Sequence, residues 1–405
     1  MNKKSIESME AEALRGKRVL VRVDYNVPIE DGAVTDDTRI RATLPTLQFL
    51  TDAGARVVLV SHLGRPKGKW RDEMSMAPAA ARLRELIDVP VRFIGDVVGG
   101  DAKEAADALA PGSILVLENV RFLAGEETND PKLSEALAGF ADIYVNDAFG
   151  SAHRAHASTC GVAEVMKENG RPAVAGMLME KELRFLGGAL ENPERPFAAI
   201  LGGAKISGKI DVIESLLPRV EHLLIGGAMA NTFFRALGLE TGKSLVEEER
   251  VGMARTLLER AGSKIVLPVD CVVAGEAKAG ARTWLLARDE VPPEGSILDI
   301  GPKSVATFRD FVERSRTILW NGPMGLFEID DFAEGTQGVA RAVADMTARG
   351  ATTIVGGGDT AAAVEEAGLA DRMSHVSTGG GASLEFLEGR TLPGVAILDD
   401  EGGAA

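Results

Sequence analysis

The sequence predicts an α/β protein made of two domains, each a doubly wound parallel sheet. Short apolar runs rich in β-branched residues recur along the chain, and segments with helical spacing separate them. Strands buried in a parallel sheet read as continuous apolar runs, and strands that alternate with helices form βαβ units. The chain has 405 residues, more than one hydrophobic core usually holds, so two domains are expected.

Several of the predicted strands run into loops of glycine or polar residues. The predicted strands of the first half are Arg18–Val23, Arg56–Val60, Ser113–Leu117 and Ile143–Val145. Those of the second half are Phe197–Leu201, His222–Ile225, Lys264–Leu267, Thr317–Trp320 and Thr352–Val355. Ligands of open α/β sheets bind where loops leave the carboxyl ends of strands. The loops after these runs are therefore the candidate sites.

A helix predicted over Leu178–Leu186 would join the two Rossmann-like domains, because its apolar residues recur every three to four positions. We place the first domain at residues 1–172 and the second at 173–390. A joining helix and ligands on separate domains would give a cleft that closes by a hinge.

Charge and composition exclude several classes of protein. The formal net charge of −15 argues against a general nucleic-acid binder, whose affinity rests on Lys and Arg. No apolar stretch approaches the length of a membrane span, and the N-terminus lacks the apolar core of a secretory signal. Two distant cysteines, Cys160 and Cys271, fit structural residues in a reducing compartment. We expect a cytoplasmic protein without nucleic-acid or membrane partners.

Basic side chains gather in the loops of the first half. Arginines and a histidine follow the predicted strands or begin the next helix: Arg39, His62, Arg65, Arg121 and Arg154. Arginine matches phosphate and carboxylate with two parallel hydrogen bonds, so several of them suit a small, multiply charged anion. Asp24 and Asn26 could bind a hydroxyl between its anionic ends. The alternatives are solvated surface arginines, or a metal at His153 and His156, whose spacing lacks acidic or cysteine partners.

Glycine-rich loops dominate the second half. The clusters lie at Gly202–Gly203, Gly226–Gly227, Gly322–Gly325, Gly356–Gly358 and Gly379–Gly381. Glycine lets a backbone approach a ligand closely, and a helix that opens at such a turn offers N–H groups to an anion. Lys205 and Lys209 would share a helix face if their turn is helical. Asp359 could cap its helix or hold Mg²⁺ beside phosphates. The alternative for any one cluster is plain helix–strand packing.

Two motifs in the second half resemble other nucleotide sites. Gly238–Ser244 is one residue too short between its glycines for a P-loop and follows no predicted strand. Gly356–Ala361 fits G-x-G-x-x-A, but it lies near the end of the chain, whereas a dinucleotide site uses the first βαβ unit. A nicotinamide-dependent dehydrogenase is therefore a weak alternative.

Taken together, these sequence segments resemble those of the phosphoglycerate kinase family. The matching strings are Arg22–Pro28, Ser61–Pro66, Asn146–His156, Gly202–Lys205, Asn321–Glu328, Gly356–Thr360 and Thr378–Ser383, in the family's order over roughly residues 16–394. Small departures at Tyr25, Ser151 and Leu326 change no charged residue. The resemblance implies a reversible phosphoryl transfer between 1,3-bisphosphoglycerate and ADP that gives 3-phosphoglycerate and ATP.

The resemblance also implies the site residues. Phosphoglycerate would bind in the first domain to Asp24, Tyr25, Asn26, Arg39, His62, Leu63, Gly64, Arg65, Arg121 and Arg154. MgATP or MgADP would bind in the second domain to Gly202, Gly203, Lys209, Gly226, Gly227, Asn321, Glu328, Gly357, Gly358, Asp359 and Thr360, with Asp359 toward the metal. The tail at about residues 391–405 would pack back on the first domain, and the protein would be a monomer.

The implied reaction needs no general base, because the attacking carboxylate or phosphate oxygen is already ionised at pH 7. The protein need only align the reactants and neutralise the charge of the migrating group. Arg39 and Lys205 are the candidates for that role, helped by the N–H groups near Gly379 and Gly380. A non-catalytic metabolite-binding protein is the remaining alternative, and the presence of Arg39, Lys205 and Asp359 speaks against it.

Overall fold

A computed structural model describes residues 2–402 of the chain. The described residues form two compact units, residues 2–184 with 391–402 and residues 185–390. Each unit contains a six-stranded sheet whose strands are all parallel. The predicted α/β class with two doubly wound sheets is confirmed.

The first unit is built on a sheet with its first strand near the centre. The strands of this unit are β1 (Arg18–Arg22), β2 (Ile29–Glu30), β3 (Ala33–Val34), β4 (Arg56–Val60), β5 (Val91–Phe93), β6 (Ile114–Val116), β7 (Ile143–Asn146) and β8 (Ala173–Ala175). Strands β2 and β3 form a separate antiparallel hairpin. The helices of this unit are α1 (Ala11–Leu14), α2 (Thr38–Asp52), α3 (Ala77–Leu86), α4 (Gly100–Asp107), α5 (Pro131–Ala138) and α6 (Val162–Glu168); α7 (Met177–Glu191) continues into the second unit. The strand order is β5-β6-β4-β1-β7-β8, so the topology reverses between β1 and β7.

The second unit repeats this plan and adds an antiparallel sheet. Its strands are β9 (Phe197–Leu201), β10 (His222–Ile225), β11 (Ile265–Val266), β12 (Asp270–Ala274), β13 (Thr283–Ala287), β14 (Ser296–Ile300), β15 (Thr317–Asn321), β16 (Thr352–Gly356) and β17 (His375–Val376). Its helices are α8 (Ile210–Leu216), α9 (Met229–Ala236), α10 (Val251–Ala261), α11 (Pro302–Glu313), α12 (Glu334–Ala348), α13 (Gly358–Glu366) and α14 (Gly381–Leu387). The parallel order β11-β10-β9-β15-β16-β17 reverses between β9 and β15, and β13-β12-β14 form the antiparallel sheet.

Both faces of each parallel sheet are covered. Successive residues of the central strands, such as Val19 and Leu20 or Ala199 and Ile200, are fully buried although they point to opposite faces. Local capping interactions then determine where individual helices begin. Helix α5, for example, begins after Asp130, whose carboxylate accepts hydrogen bonds from Lys132 N at 2.8 Å and Leu133 N at 3.1 Å.

The C-terminal segment returns to the first unit through a last short helix, α15 (Pro393–Ala396). Gly394 N donates to Ala152 O at 2.9 Å, and Asp399 N donates to Ala173 O at 2.8 Å. Of the predicted tail 391–405, residues 403–405 lie outside the described residues. Within residues 2–402, every helix is too short or too polar to cross a bilayer.

The sequence prediction differs from the structure in three places. The first domain was predicted to end at residue 172, but β8 follows this point and pairs with β7, so the first unit extends to Arg184. The antiparallel sheet and the short edge strands β5, β8 and β17 were not predicted. The segment between β9 and α8 is a turn rather than a helix, because α8 begins only at Ile210, so Lys205 and Lys209 do not share a helix face.

Candidate functional site

Four arginines of the first unit surround one buried histidine. We call Arg22, Arg39, His62, Arg121 and Arg154 the basic cluster. Arg39 lies in the first turn of α2, and the other members end β1 or follow β4, β6 and β7. The carboxyl ends of these four strands meet at one edge of the sheet. Burial is the main reason that the pKa of His62 is held well below its usual value, and the positive charges of all four arginines lower it further. The edge of the sheet is therefore strongly positive although the protein as a whole is acidic.

Asp24 and Asn26 connect the loop after β1 to the basic cluster. The Arg39 guanidinium donates to Asn26 O at 3.0 Å and lies 3.6 Å from Asp24 Oδ2. Asp24 Oδ1 also lies 3.8 Å from His62 Nδ1. On the other side, Asn26 Oδ1 accepts a hydrogen bond from Gly64 N at 2.9 Å. Asp24, Asn26, Arg39 and His62 are thus brought together as the sequence predicted.

The hydrogen bond from Arg22 determines which nitrogen of His62 carries the proton. Arg22 Nη2 lies 3.0 Å from His62 Nδ1, and a guanidinium can only donate. Because Nδ1 accepts this bond and the pKa is low, His62 is neutral with its proton on Nε2. His62 can therefore donate one hydrogen bond to a ligand over the physiological pH range.

Arg22 is itself part of a buried network that the sequence analysis did not assign. It is fully buried, and its Nε donates to Ser158 Oγ at 2.8 Å. Ser158 Oγ donates in turn to Glu126 Oε1 at 2.6 Å, and Glu126 is also fully buried. Burial raises the pKa of Glu126, and the charge of Arg22 opposes that shift. The signal that could have revealed the network is an arginine within an otherwise apolar strand run, since a buried charge needs a partner.

The remaining predicted phosphoglycerate residues occupy different environments. Arg121 is buried, and its Nη1 donates to Gly64 O at 2.8 Å, which fixes the loop that also carries Leu63. Arg154 Nε donates to His153 Nε2 at 3.1 Å. Arg65 is exposed. The ring of Tyr25 is buried in the core with its hydroxyl 2.9 Å from Thr43 Oγ1, so its side chain faces away from any ligand at the surface.

In the second unit, the candidate site is formed by backbone atoms rather than by charged side chains. We call Gly202, Gly203, Gly226, Gly227 and Gly322 the glycine seam. Gly202 N and Gly203 N donate to Asn321 O and Pro323 O, both at 3.0 Å, and Gly227 N donates to Met324 O at 3.0 Å. These bonds join the loops after β9, β10 and β15 into one continuous backbone surface. The topology of the sheet reverses beside this surface, which is where open α/β sheets bind ligands.

The seam tolerates no side chain at its tightest points. A Cβ on Gly322 would overlap the backbone of Gly202, and one on Gly227 would overlap the backbone of Gly203. Both glycines also have positive φ, +101° for Gly322 and +65° for Gly227. Close approach and a left-handed backbone therefore both require glycine here.

Asn321 and Lys209 form a polar pair beside the seam. Lys209 Nζ donates to Asn321 Oδ1, which leaves Asn321 Nδ2 directed toward Gly356 and Gly357. Nδ2 is buried and has no hydrogen-bond partner within residues 2–402. Burial lowers the pKa of Lys209 to about 8, although Asp359 and Glu388 oppose the shift. An unpaired donor and a poorly solvated lysine both favour an anionic ligand.

The loop after β16 opens helix α13 with glycine. Gly358 and Asp359 are exposed in its first turn, whereas Thr360 is buried and its Oγ1 accepts a hydrogen bond from Gly322 N at 2.6 Å. Thr360 therefore fixes this loop against the glycine seam. Glu328 is exposed near the end of the loop after β15.

The donor set fits a metal that arrives with phosphates. Within the described residues, no three His, Cys, Asp or Glu side chains are grouped to hold an ion by themselves. Mg²⁺ is commonly bound by one or two carboxylates together with substrate phosphates and water. Asp359, exposed and within electrostatic range of Lys209, suits that mode.

The predicted catalytic groups of the second unit lie in loops. Lys205 is exposed in the turn after β9. Gly379 is buried, and its N–H donates to Ser377 Oγ at 3.1 Å. Gly380 precedes α14 directly, and Ala382 N in the first turn of that helix donates back to Gly379 O at 3.0 Å.

Comparison with known proteins agrees with this architecture. The family model for phosphoglycerate kinase matches residues 9–390. Phosphoglycerate kinase of Synechococcus elongatus is 54% identical over 404 residues, which cover 99% of this chain and 100% of that protein. The enzyme of Rubrobacter xylanophilus is 56% identical over 400 residues, 99% of each chain. The solved structure of phosphoglycerate kinase from Coxiella burnetii has a TM-score of 0.86 and 44% identity over 98% of each chain.

The fold and these similarities define a phosphotransferase of the α/β class. With a family match over nearly the whole chain and relatives more than half identical, the chain belongs to the phosphoglycerate kinase family.

Proposed function

We propose that the protein catalyses the reversible, Mg²⁺-dependent transfer of a phosphoryl group between 1,3-bisphosphoglycerate and ADP, giving 3-phosphoglycerate and ATP. The observation that carries the proposal is the basic cluster, four arginines around a neutral histidine at the ligand-binding edge of the first sheet. Such a cluster suits a small anion with charge at both ends, as the three-carbon substrate has.

In this proposal, the first unit binds the phosphoglyceryl substrate. Arg65, Arg121 and Arg154 bind the 3-phosphate, supported by the backbone of Leu63 and Gly64. Asp24 and Asn26 bind the hydroxyl, and the backbone of Tyr25 lines the same loop. His62 donates from Nε2, and Arg39 faces the carboxyl end of the substrate. Support comes from the hydrogen bonds that join Asn26 to Arg39 and Gly64, and from the ion pair between Arg39 and Asp24.

The second unit binds the nucleotide. Gly202, Gly203, Gly226 and Gly227 form the floor under adenine, because a glycine surface admits a flat ring without steric conflict. Glu328 binds the ribose. Lys209, Asn321 and the loop Gly357–Thr360 bind the phosphates, and Asp359 holds Mg²⁺ together with phosphate oxygens. The bound Mg²⁺ would neutralise phosphate charge during the transfer.

The chemical step is a direct displacement. A carboxylate oxygen of 3-phosphoglycerate attacks the γ-phosphorus of ATP, the bond from phosphorus to the bridging oxygen breaks, and ADP leaves with that electron pair; the reverse reaction retraces these steps. No proton moves, so the protein contributes position and charge. Arg39 and Lys205 stabilise the charge of the transferring group, helped by the N–H of Gly380 at the start of α14. Gly379, whose N–H is bonded to Ser377 Oγ, holds the turn in place. Since the two ligands are assigned to different units, closure must bring them together before transfer.

We also propose that the protein works in the cytoplasm as a monomer, on small molecules alone. Support comes from the acidic net charge of −15, which disfavours nucleic acid, and from two buried free cysteines, as expected in a reducing compartment.

A coupled assay of ATP-dependent phosphorylation of 3-phosphoglycerate by the purified protein tests the proposal. We expect turnover that depends on Mg²⁺ and disappears when phosphoglycerate is omitted. Binding of ADP and phosphoglycerate without turnover would support the non-catalytic alternative. Tight binding of a nicotinamide dinucleotide, with none of ADP, would support the dehydrogenase alternative.

A further inference from the structure

The buried side chain of Asp299 supports the loop after β15. Asp299 lies on β14, an edge strand of the antiparallel sheet, and is only 2% exposed. Its Oδ2 accepts a hydrogen bond from Gly335 N in the first turn of α12 at 2.7 Å, and its Oδ1 accepts one from Ile300 N at 2.8 Å. The carboxylate therefore ties the antiparallel sheet to the helix that follows the loop.

The loop after β15 is shaped to fit this carboxylate. A Cβ on Gly325 or on Gly335 would overlap Asp299 Oδ1, so both positions leave room for the carboxylate. The neighbouring backbone is bonded as well, since Leu326 N donates to Leu298 O at 2.9 Å. Met324 N donates to Thr336 Oγ1 at 3.0 Å. The middle of the loop is thus held by β14 and the first turn of α12.

The same loop is held on its other side by the glycine seam. Residues 321–324 accept hydrogen bonds from Gly202, Gly203 and Gly227, each at 3.0 Å. The loop follows Asn321, the last residue of β15, and reaches Glu328. Both residues are assigned to the nucleotide in the proposed function. Any shift at Gly325 would therefore change the distance between these two residues.

We infer that Asp299 is a positioning residue of the nucleotide site: it fixes the loop between Asn321 and Glu328 so that phosphate and ribose are bound at the right separation. This inference rests on the proposed nucleotide site and adds a residue that touches neither ligand. Burial raises the pKa of Asp299 to about 7, so near neutral pH the carboxyl group is partly ionised, and asparagine removes that partial charge together with one acceptor atom. The main effect is that the side-chain NH₂ of asparagine faces the backbone N–H of either Gly335 or Ile300, both of which donate to the carboxylate in the wild type.

Asp270 is a matched control on the same small sheet. It is 6% exposed, and its carboxylate accepts hydrogen bonds from Ser304 N at 2.7 Å and Lys303 N at 3.0 Å, which caps α11. A Cβ on Gly301 would overlap it, just as Gly325 and Gly335 leave room for Asp299. Its hydrogen bonds go to the segment 301–304 rather than to the loop after β15. The two aspartates thus differ mainly in the segment of the chain that each carboxylate binds.

Calorimetric titration of the full-length protein with MgADP and, separately, with 3-phosphoglycerate tests the inference. We expect Asp299→Asn to weaken MgADP binding about tenfold, equal to about 1.4 kcal/mol, with phosphoglycerate binding within twofold of wild type. Asp270→Asn should leave both affinities within twofold. Thermal unfolding of each variant sets a temperature at which all are folded.

The outcomes separate the inference from the proposed function. Equal MgADP affinity in wild type and Asp299→Asn overturns the inference, as does equal weakening by Asp270→Asn. A wild-type protein that does not bind MgADP overturns the proposed function and the inference with it. If Asp299→Asn does not fold, Gly325→Ala replaces it, with Gly338→Ala as control because a Cβ there meets Val305 instead of Asp299. Weaker MgADP binding in Gly325→Ala alone supports the inference, and equal binding in both overturns it.

Discussion

The basic cluster and the glycine seam occupy the same place in two similar sheets, yet they are built by opposite means. Each lies where the topology reverses, beside the first strand of its sheet. The first is made of charged side chains around His62, whereas the second is made of backbone without side chains. A small polyanion requires fixed charges. A flat base and a chain of phosphates instead require close approach and N–H groups.

The two constructions have different weak points. Fixed charges near the core must be desolvated, so the basic cluster depends on buried partners such as Glu126 behind Arg22. A glycine surface has no charge to desolvate, but it depends on space that any Cβ would fill. We therefore expect loss of charge pairing to damage the first unit and added volume to damage the second.

The largest effect is expected from added volume in the seam. Gly322→Ala places a Cβ against the backbone of Gly202 at φ +101°, so both steric overlap and backbone strain act. We expect a loss of more than about 4 kcal/mol in the free energy of unfolding, measured by urea denaturation. Gly252→Ala, in helix α10 with open space around it, is the control and should be neutral or stabilising by about 0.5–1 kcal/mol. Similar midpoints for the two variants would refute the steric account.

A slightly smaller effect is expected from unpairing the buried charges of the first unit. Arg22→Met removes the cation that Ser158 links to the buried Glu126 and should cost about 3–5 kcal/mol of unfolding free energy. The double variant Arg22→Met/Glu126→Gln removes both charges and should be less destabilised than the sum of the two single variants. Urea denaturation of all four proteins gives this coupling. Strictly additive losses would show that the two residues do not support each other.

Raising the pH should weaken ligand binding about tenfold at the nucleotide site and only slightly at the phosphoglycerate site. Burial lowers the pKa of Lys209 from its usual value of 10.5 to about 8, so the free protein loses this charge as the pH rises through 8. Phosphate binding favours the protonated lysine, so MgADP affinity should fall about tenfold between pH 7.5 and 9.5, with proton uptake on binding. Phosphoglycerate affinity should stay within about twofold, because arginine remains protonated and His62 is neutral throughout.

Titration calorimetry in two buffers of different ionisation enthalpy measures the proton uptake. Lys209→Arg serves as the control, since a guanidinium keeps its charge, and it should flatten the pH profile of MgADP. A parallel decline for both ligands would mean that the sites do not differ in this way.

Much of this comparison could be predicted from the sequence. Buried parallel strands are continuous apolar runs, so Arg56–Val60 and Phe197–Leu201 were predicted with the bounds that the structure has. The loops after them follow from the rule that ligands bind at the carboxyl ends of strands. Asp24, Asn26, Arg39 and His62 were assigned to one pocket, and the structure brings them together.

The rest depends on long-range contacts that no local pattern records. The partnership of Arg22 with Glu126 runs through Ser158, more than a hundred residues further along the chain than Arg22. Asp299 reads as an ordinary polar residue in a half-exposed strand, and only packing shows that Gly325 leaves room for it. The two-residue strand β17 has too few residues for a periodic signal. The turn that carries Lys205 could not be told from a helix by the spacing of its lysines alone.

In the proposed mechanism, charge and position carry the phosphoryl transfer without acid–base catalysis. The most direct test is the turnover of Lys205→Ala at saturating MgATP and 3-phosphoglycerate, with both affinities measured by titration. We predict that kcat falls about 10²–10³-fold while both dissociation constants stay within about threefold of wild type, because Lys205 acts on the transferring group rather than on the bound ligands. Near-normal kcat in this variant would contradict the account.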